Sequence, residues 1–123
     1  MSSPPLISVV DDDEAFRESL GSLIRSVGFG VKAFGSAEEF LNSDHPRVAD
    51  CLVLDVRMPG INGLELHRRL VASQYGIPVI FISAHGDEEA RSRALREGAV
   101  DFLFKPFSEE ALLNAIHSAL EPK

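Results

Sequence analysis

The sequence has little of what disulfide-linked and membrane-spanning proteins are rich in. It contains a single cysteine, so no internal disulfide can form, and Cys51 lies in an apolar run that is typical of a buried, reduced thiol. We therefore expect a cytoplasmic protein. Its apolar runs stay far below the roughly 18 uninterrupted residues that a transmembrane helix needs. No basic residue precedes the first apolar run, as it would in a signal peptide.

Positive charge is also scarce. The chain carries 12 basic and 19 acidic residues, which gives a net charge of −7. A domain that binds DNA or RNA normally presents a basic surface, so we expect no direct nucleic-acid contact from this segment. A separate DNA-binding output domain beyond its C-terminal end stays compatible with this charge. With 123 residues, of which 45% are hydrophobic, residues 1–123 are expected to form one domain.

What the sequence does contain is a regular alternation of short apolar runs and amphipathic stretches. The predicted strands are residues 6–10, 31–34, 51–55, 79–83 and 102–104. A helix is predicted after each strand: one with its apolar face from Phe16 to Val27, then residues 36–41, 63–71, 87–97 and 108–120, with a loop over 42–46. This alternation predicts a doubly wound α/β fold, with a flavodoxin-like five-stranded parallel sheet in the order 2-1-3-4-5.

Polar residues stand at the carboxyl ends of four predicted strands: Asp11 and Asp12 after the first, Asp55 at the third, Ser83 at the fourth and Lys105 after the fifth. Strands one and three are neighbours in the predicted order, so three carboxylates should converge on one cleft. Clustered carboxylates repel one another unless they are protonated or share a cation. Oxygen ligands suit Mg²⁺ or Mn²⁺, and Lys105 adds a fixed positive charge.

Three motifs give the chain a family resemblance. They are Val9-Val10-Asp11-Asp12, the stretch Leu54-Asp55-Val56-Arg57-Met58-Pro59-Gly60, and Phe104-Lys105-Pro106-Phe107. In this order and spacing they resemble the motifs of response-regulator receiver domains of bacterial two-component signalling. The string from Asp55 to Gly60, followed by Asn62-Gly63-Leu64-Glu65-Leu66, is most similar to receivers that control helix-turn-helix transcription factors.

The resemblance implies a role for each residue of the cleft. Asp55 would accept a phosphoryl group from a phosphohistidine on a sensor histidine kinase. Mg²⁺ would be bound directly by Asp12, through water by Asp11, and also by Asp55 and the backbone carbonyl of Arg57. The magnesium ion and Lys105 would neutralise the incoming charge. The chain would thus be a signalling switch rather than an enzyme, although it would support its own phosphotransfer and a slow hydrolysis of the aspartyl phosphate.

The resemblance also implies a switch. Ser83, where the family more often has threonine, would donate a hydrogen bond from its hydroxyl to the phosphoryl group. Phe102 would then fill the space that the hydroxyl leaves. The predicted fourth helix has the poorest apolar face and should move most readily. With the fifth strand and fifth helix it would form the output surface, which commonly makes a phosphorylation-dependent homodimer. Arg57 and His85 are expected to flank the mouth of the pocket around Asp55. The Lys105-Pro106 peptide bond is expected to be cis.

Other functions fit less well. An aspartate-nucleophile phosphatase would need a second acid two residues after Asp55, and that position is Arg57. A flavin-binding module of the same topology would need a Ser/Thr/Gly-rich loop after the first strand, and a nucleotide-binding P-loop is absent. A pseudo-receiver, which would bind its partners constitutively without phosphorylation, is disfavoured because Asp12, Asp55 and Lys105 are all present. A stand-alone regulator that acts through protein contacts stays open beside an input domain for transcription.

Overall fold

Parallel strands form the centre of the molecule in a computed structural model, which describes residues 3–84 and 87–121. The strands are β1 Leu6–Val10, β2 Gly30–Phe34, β3 Cys51–Asp55, β4 Val79–Ser83 and β5 Asp101–Phe104. They make one five-stranded sheet in the order β2-β1-β3-β4-β5, and every neighbouring pair is parallel. The predicted fold class and strand order are therefore confirmed.

Helices connect the strands. In the part of the chain that the structure describes they are α1 Glu14–Ser26, α2 Ala37–Leu41, α3 His45–Val48, α4 Gly63–Ala72, α5 Glu88–Arg96 and α6 Glu109–Leu120. The loop predicted over 42–46 is confirmed for residues 42–44 and wrong for 45–46, because α3 begins at His45. Pro46 lies in its first turn, where a missing N–H costs nothing. The predicted fourth and fifth helices are accordingly α5 and α6.

Helices cover both faces of the sheet. Helices α1 and α6 pack on one face, and α2, α4 and α5 pack on the other. The largest helical contributions to the two cores are Leu20, Ile24, Leu112 and Ile116 on the first face, and Phe40, Leu66 and Leu70 on the second. Helix α5 buries only Ala90 and Ala94, so it has little apolar area to hold it in place.

The ends of the helices follow the sequence signals closely. Asp13, Ser36, Asn62 and Ser108 each cap a helix by accepting a hydrogen bond from a backbone N–H three residues on. The exception is Val27, which was predicted on the buried face of α1 and is 46% exposed. It follows the last helical residue and occupies the C-cap position, so its side chain no longer continues the apolar stripe.

Two further expectations concern the backbone and the membrane. The Lys105-Pro106 peptide is cis, as the resemblance implied. Among residues 3–84 and 87–121, no helix combines the length and the apolar character that crossing a bilayer requires.

Candidate functional site at the carboxyl edge of the sheet

The strand register brings the predicted site residues to one edge of the sheet. Val10 of β1 lies opposite Leu54 of β3, so the residues that follow them, Asp11 and Asp55, leave the sheet side by side. On the other flank Ser83 ends β4 opposite Phe104 of β5. Ligand sites of open α/β sheets lie at this edge, outside the carboxyl ends of the strands.

Three carboxylates meet at this edge, as the sequence predicts. One oxygen each from Asp11, Asp12 and Asp55 lies within 4.8 Å of the other two. Asp11 is fully buried and Asp55 is 6% exposed, whereas Asp12 is exposed to solvent. The cluster is therefore buried at Asp11 and Asp55 and open to solvent at Asp12.

Asp11 has partners that make its burial possible. Its Oδ1 accepts a hydrogen bond of 2.9 Å from the backbone N–H of Asp13, and its Oδ2 lies 3.3 Å from Lys105 Nζ. Its carbonyl oxygen accepts a bond of 2.6 Å from the guanidinium of Arg17. A buried carboxylate needs such partners, because its desolvation is otherwise costly.

Asp55 is less well satisfied, and its protonation reflects this. Burial and the neighbouring charge of Asp11 raise the pKa of Asp55 from near 3.8 to about 7, and Asp12 adds to the rise. Lys105 and the backbone N–H of Arg57 lower this pKa, but they do not outweigh the burial. Without a cation, the cleft thus holds an acid that is easily protonated near neutral pH.

Lys105 lies between the buried carboxylates and an aromatic ring. Its Nζ is 3.3 Å from Asp11 Oδ2 and 3.9 Å from Asp55 Oδ1. The same nitrogen lies 4.1 Å from the centre of the Phe16 ring, in the geometry of a cation–π contact. Phe16 in turn makes an edge-to-face contact with Phe107. The ammonium group is therefore held from two sides.

Ser83 is fully buried, and its hydroxyl has a partner that the sequence reasoning missed. Ser83 Oγ donates to Asp87 Oδ2 at 3.3 Å, and the same oxygen accepts a bond of 2.8 Å from Arg57 Nη2. The Arg57 side chain is 72% exposed, so its guanidinium projects towards Asp87 at the surface. Neither the Ser83–Asp87 bond nor the Arg57–Asp87 pair has a local signal, because the loops alone bring these residues together.

The two remaining predicted site residues differ in what the structure says of them. Phe102 of β5 is 3% exposed, and its ring packs between those of Phe81 and Phe104 at centroid distances of 5.9 and 5.3 Å. It therefore already points into the core. His85, predicted at the pocket mouth, lies outside the described residues.

A glycine closes the floor of the site. The N–H of Gly63, the first residue of α4, donates to Val56 O at 2.9 Å. A Cβ at this position would lie 2.3 Å from the backbone oxygen of Asp55 and 3.0 Å from Val56 Cα. Only a residue without a side chain lets the helix approach the end of β3 so closely.

The donor atoms of the cleft suit a hard divalent cation. Mg²⁺ prefers oxygen ligands and is commonly held by a few carboxylates together with water. Asp11 and Asp55 supply buried carboxylates, and Asp12 supplies an exposed one on the open side. Three carboxylate oxygens within 4.8 Å of one another crowd negative charge here, and burial, to which the charge of Asp11 adds, raises the pKa of Asp55. A bound cation would relieve that crowding.

Comparisons with known proteins point to one family. The family model of the response regulator receiver domain matches residues 7–117. Response regulator protein TmoT of Ectopseudomonas mendocina is 50% identical over 94% of this chain and 53% of its own length. Transcriptional regulatory protein FixJ of Bradyrhizobium diazoefficiens is 43% identical over 98% of this chain and 58% of its own length.

A solved structure agrees in fold over the whole domain. The crystal structure of FixJ-N matches with a TM-score of 0.90 and 40% identity, over 99% of this chain and 98% of that one. The chain spans little more than half the length of the curated relatives it matches. The chain belongs to the family of response regulator receiver domains, the signalling switches of two-component systems, and it is related to receivers of transcriptional regulators.

Proposed function

We propose that Asp55 is the phosphoacceptor of this receiver and takes a phosphoryl group from a phosphohistidine of a sensor histidine kinase. One observation carries the proposal. Asp55 ends β3 in a cluster with the buried carboxylate of Asp11 and the exposed one of Asp12, and Lys105 Nζ lies 3.9 Å from its Oδ1. A carboxylate so placed has a cation beside it and open solvent on the side of Asp12.

The transfer is a displacement at phosphorus. An oxygen of ionised Asp55 forms the new P–O bond, the P–N bond to the kinase histidine breaks, and its electron pair stays with the imidazole ring. Lys105 would stabilise the negative charge that gathers on the phosphoryl oxygens, because its ammonium group is held close to Asp55. Later attack by water would release phosphate and restore Asp55 slowly.

Asp11, Asp12 and Asp55 would hold Mg²⁺, or Mn²⁺ in its place, and the carbonyl of Arg57 would complete the protein ligands. When bound, the ion would supply positive charge that keeps Asp55 ionised and offsets the charge of the phosphoryl group. Asp11 would bind the ion through a water molecule, because both of its carboxylate oxygens already have partners in Asp13 and Lys105.

Phosphorylation of Asp55 would switch the conformation of the domain and would not serve as an intermediate of an enzymatic reaction. Ser83 would turn its hydroxyl towards the phosphoryl oxygens, and α5, which buries only Ala90 and Ala94, would shift with it. Phe102 already lies in the core and would repack beside Ser83. Helix α5, strand β5 and helix α6 would present the output surface for a phosphorylation-dependent homodimer.

The wider setting forms part of the proposal. This chain matches 53% and 58% of the lengths of two relatives, and one of them is a transcriptional regulatory protein. We therefore place residues 1–123 as one receiver unit that regulates a DNA-binding output domain. We place it in the cytoplasm, in keeping with Cys51, which is buried and unpaired. A phosphatase activity is disfavoured, because Arg57 stands where that mechanism needs an acid.

The test is phosphorylation by a small donor. Wild type and Asp55→Asn are incubated with acetyl phosphate and Mg²⁺ and then weighed by intact-mass spectrometry. Asp13→Asn is the matched control, because Asp13 is a neighbouring aspartate that caps α1 and asparagine caps a helix equally well. We expect a phosphate adduct on wild type and Asp13→Asn and none on Asp55→Asn. An equal adduct on all three would overturn the proposal.

The dimer is tested separately. The mass of the protein in solution is measured with Mg²⁺ and beryllofluoride, a phosphoryl mimic, and again without them. We expect a monomer to become a dimer when the mimic is added. A mass that stays monomeric at saturation would refute this part and leave the phosphoacceptor proposal standing.

A further inference from the structure

Asp87 occupies the N-cap position of α5 but does not cap it. The N-cap aspartate of α1 accepts a hydrogen bond from the backbone of its own helix, whereas the Asp87 side chain makes no such bond. Its Oδ2 instead accepts from Ser83 Oγ at 3.3 Å and from Arg57 Nη2 at 2.8 Å. The Asp87 side chain thus bonds to Ser83 and Arg57 and not to the backbone of its own helix.

From this geometry we infer that Asp87 is a positioning residue that holds Ser83 in the unswitched state. A serine hydroxyl has one hydrogen to donate. While that hydrogen is donated to Asp87, it is not available to a phosphoryl group on Asp55. We call the set of Arg57, Asp87 and Ser83 the latch. The inference rests on the proposed function, since it assigns the residue that opposes its switching step.

The electrostatics of the latch explain why it holds. The side chain of Asp87 is 13% exposed, so its carboxylate is largely removed from water and depends on hydrogen-bond donors. Arg57 supplies the charged one, and a charge-assisted bond is stronger than a neutral one. The fixed carboxylate then presents Oδ2 to Ser83. Arg57 therefore acts on Ser83 through Asp87, although it lies on another loop.

The structure also explains how the latch can open. Arg57 is 72% exposed, so water can replace the hydrogen bond of its guanidinium when it moves away from Asp87. Arg57 and Asp87 line an open groove with Met58, Ala90 and Arg93, so the guanidinium has room to move aside. Opening would free both the Ser83 hydroxyl and the N-terminal end of α5, a helix that buries only Ala90 and Ala94. The latch thus couples the phosphorylation site to the output surface.

The experiment measures the half-saturating concentration of beryllofluoride with Mg²⁺ by fluorine NMR. Asp87→Ala breaks the latch without removing a helix cap. Asp87→Asn removes the charge but keeps an amide oxygen that can still accept from Ser83. We expect Asp87→Ala to bind the mimic about two- to fivefold more tightly than wild type, since the bonds from Ser83 and Arg57 are both lost. Asp87→Asn should show a smaller gain, because it loses the charge and not the acceptor oxygen. Arg57→Ala should act in the same direction.

Two controls separate the latch from a simple change in charge. Glu97→Gln removes the other ion pair of α5, in which Arg68 of α4 binds Glu97 through two bonds of 3.0 Å. It should leave the half-saturating concentration unchanged. In a Ser83→Ala background the effect of Asp87→Ala should disappear, because the hydroxyl that it released is gone.

The outcomes are distinct. Unchanged binding in Asp87→Ala would overturn the latch, and so would a gain that persists undiminished without the Ser83 hydroxyl. If beryllofluoride bound to wild type but equally well to Asp55→Asn, the proposed function itself would fail. Tighter binding in Asp87→Ala, lost in the Ser83→Ala background, would establish the latch.

Discussion

Lys105 and Phe16 form a cation–π pair, with the ammonium nitrogen 4.1 Å from the centre of the ring. The nitrogen also lies 3.3 Å from Asp11 and 3.9 Å from Asp55, so the ring closes the side of Lys105 that faces neither carboxylate. A lysine side chain has four rotatable bonds and loses considerable entropy when it is fixed. Phe16 thus places the charge beside Asp55 before any phosphoryl group arrives.

Phe16→Leu should therefore slow phosphorylation of Asp55 by acetyl phosphate about two- to fivefold, since an exposed or half-buried cation–π contact contributes about 0.5–1 kcal/mol. Leucine keeps apolar contact but lacks the ring face, whereas Phe16→Tyr keeps it and should retain the rate. Phe107→Leu removes the edge-to-face partner of Phe16 and serves as the packing control. Equal slowing in the leucine and tyrosine variants would contradict the role of the ring.

Gly63→Ala should destabilise the domain by about 2–3 kcal/mol, because the new Cβ would meet the backbone oxygen of Asp55 at 2.3 Å and backbone cannot easily give way. Urea unfolding measures the loss. Gly21→Ala is the matched control, because its Cβ would lie 3.5 Å from the nearest side-chain atom. An alanine in this helix should raise the free energy of unfolding by about 0.5–1 kcal/mol. Similar effects of the two substitutions would show that the contact at Asp55 is not restrictive.

Asp55→Asn should stabilise the metal-free domain above neutral pH. Burial and the charge of Asp11 raise the pKa of Asp55 from near 3.8 to about 7. Between these values the folded state binds more protons than the unfolded chain, so stability falls as the pH rises through this window. At about 1.4 kcal/mol per unit, the asparagine variant should gain up to about 4 kcal/mol at pH 8 and little at pH 4.

Urea unfolding with a chelator present, at several pH values, checks this prediction. A gain that is the same at pH 5 and pH 8 would show that charge repulsion at Asp55 is not its cause. Added Mg²⁺ should stabilise wild type more than Asp55→Asn, because the variant replaces a charged carboxylate ligand with a neutral amide.

Much of the fold could be predicted because its signals are local. Strands β1 and β4 begin and end where predicted, since Asp11 and Pro78 punctuate their apolar runs. Helix α3 was missed because four residues give no periodicity and Asp44 does not cap it through its side chain. Val27 was misplaced because spacing alone does not show that α1 ends one residue earlier.

The same distinction applies to the site. The convergence of Asp11, Asp12 and Asp55 follows from strand order, because adjacent parallel strands end at one edge. The contacts of Asp87 do not follow from any pattern: its partner Arg57 lies 30 residues away, and its position before a helix predicts an N-cap. Such contacts depend on the path of two loops, which sequence spacing does not determine.

His67 should make the stability of the domain fall in mild acid. The ring is 4% exposed, lies edge-to-face on Phe81 at 5.4 Å, and its Nδ1 has no hydrogen-bond partner among residues 3–84 and 87–121. Burial lowers the pKa of His67, against the opposing charge of Glu97 and with that of Arg68. The unfolded chain therefore takes up a proton below about pH 6.5 that the folded state refuses, so stability drops as the pH falls from there to the lower pKa. His67→Phe keeps a ring of similar shape and cannot titrate. Its stability relative to wild type, measured by urea unfolding, should rise between pH 7 and pH 5, and parallel curves would contradict the assignment.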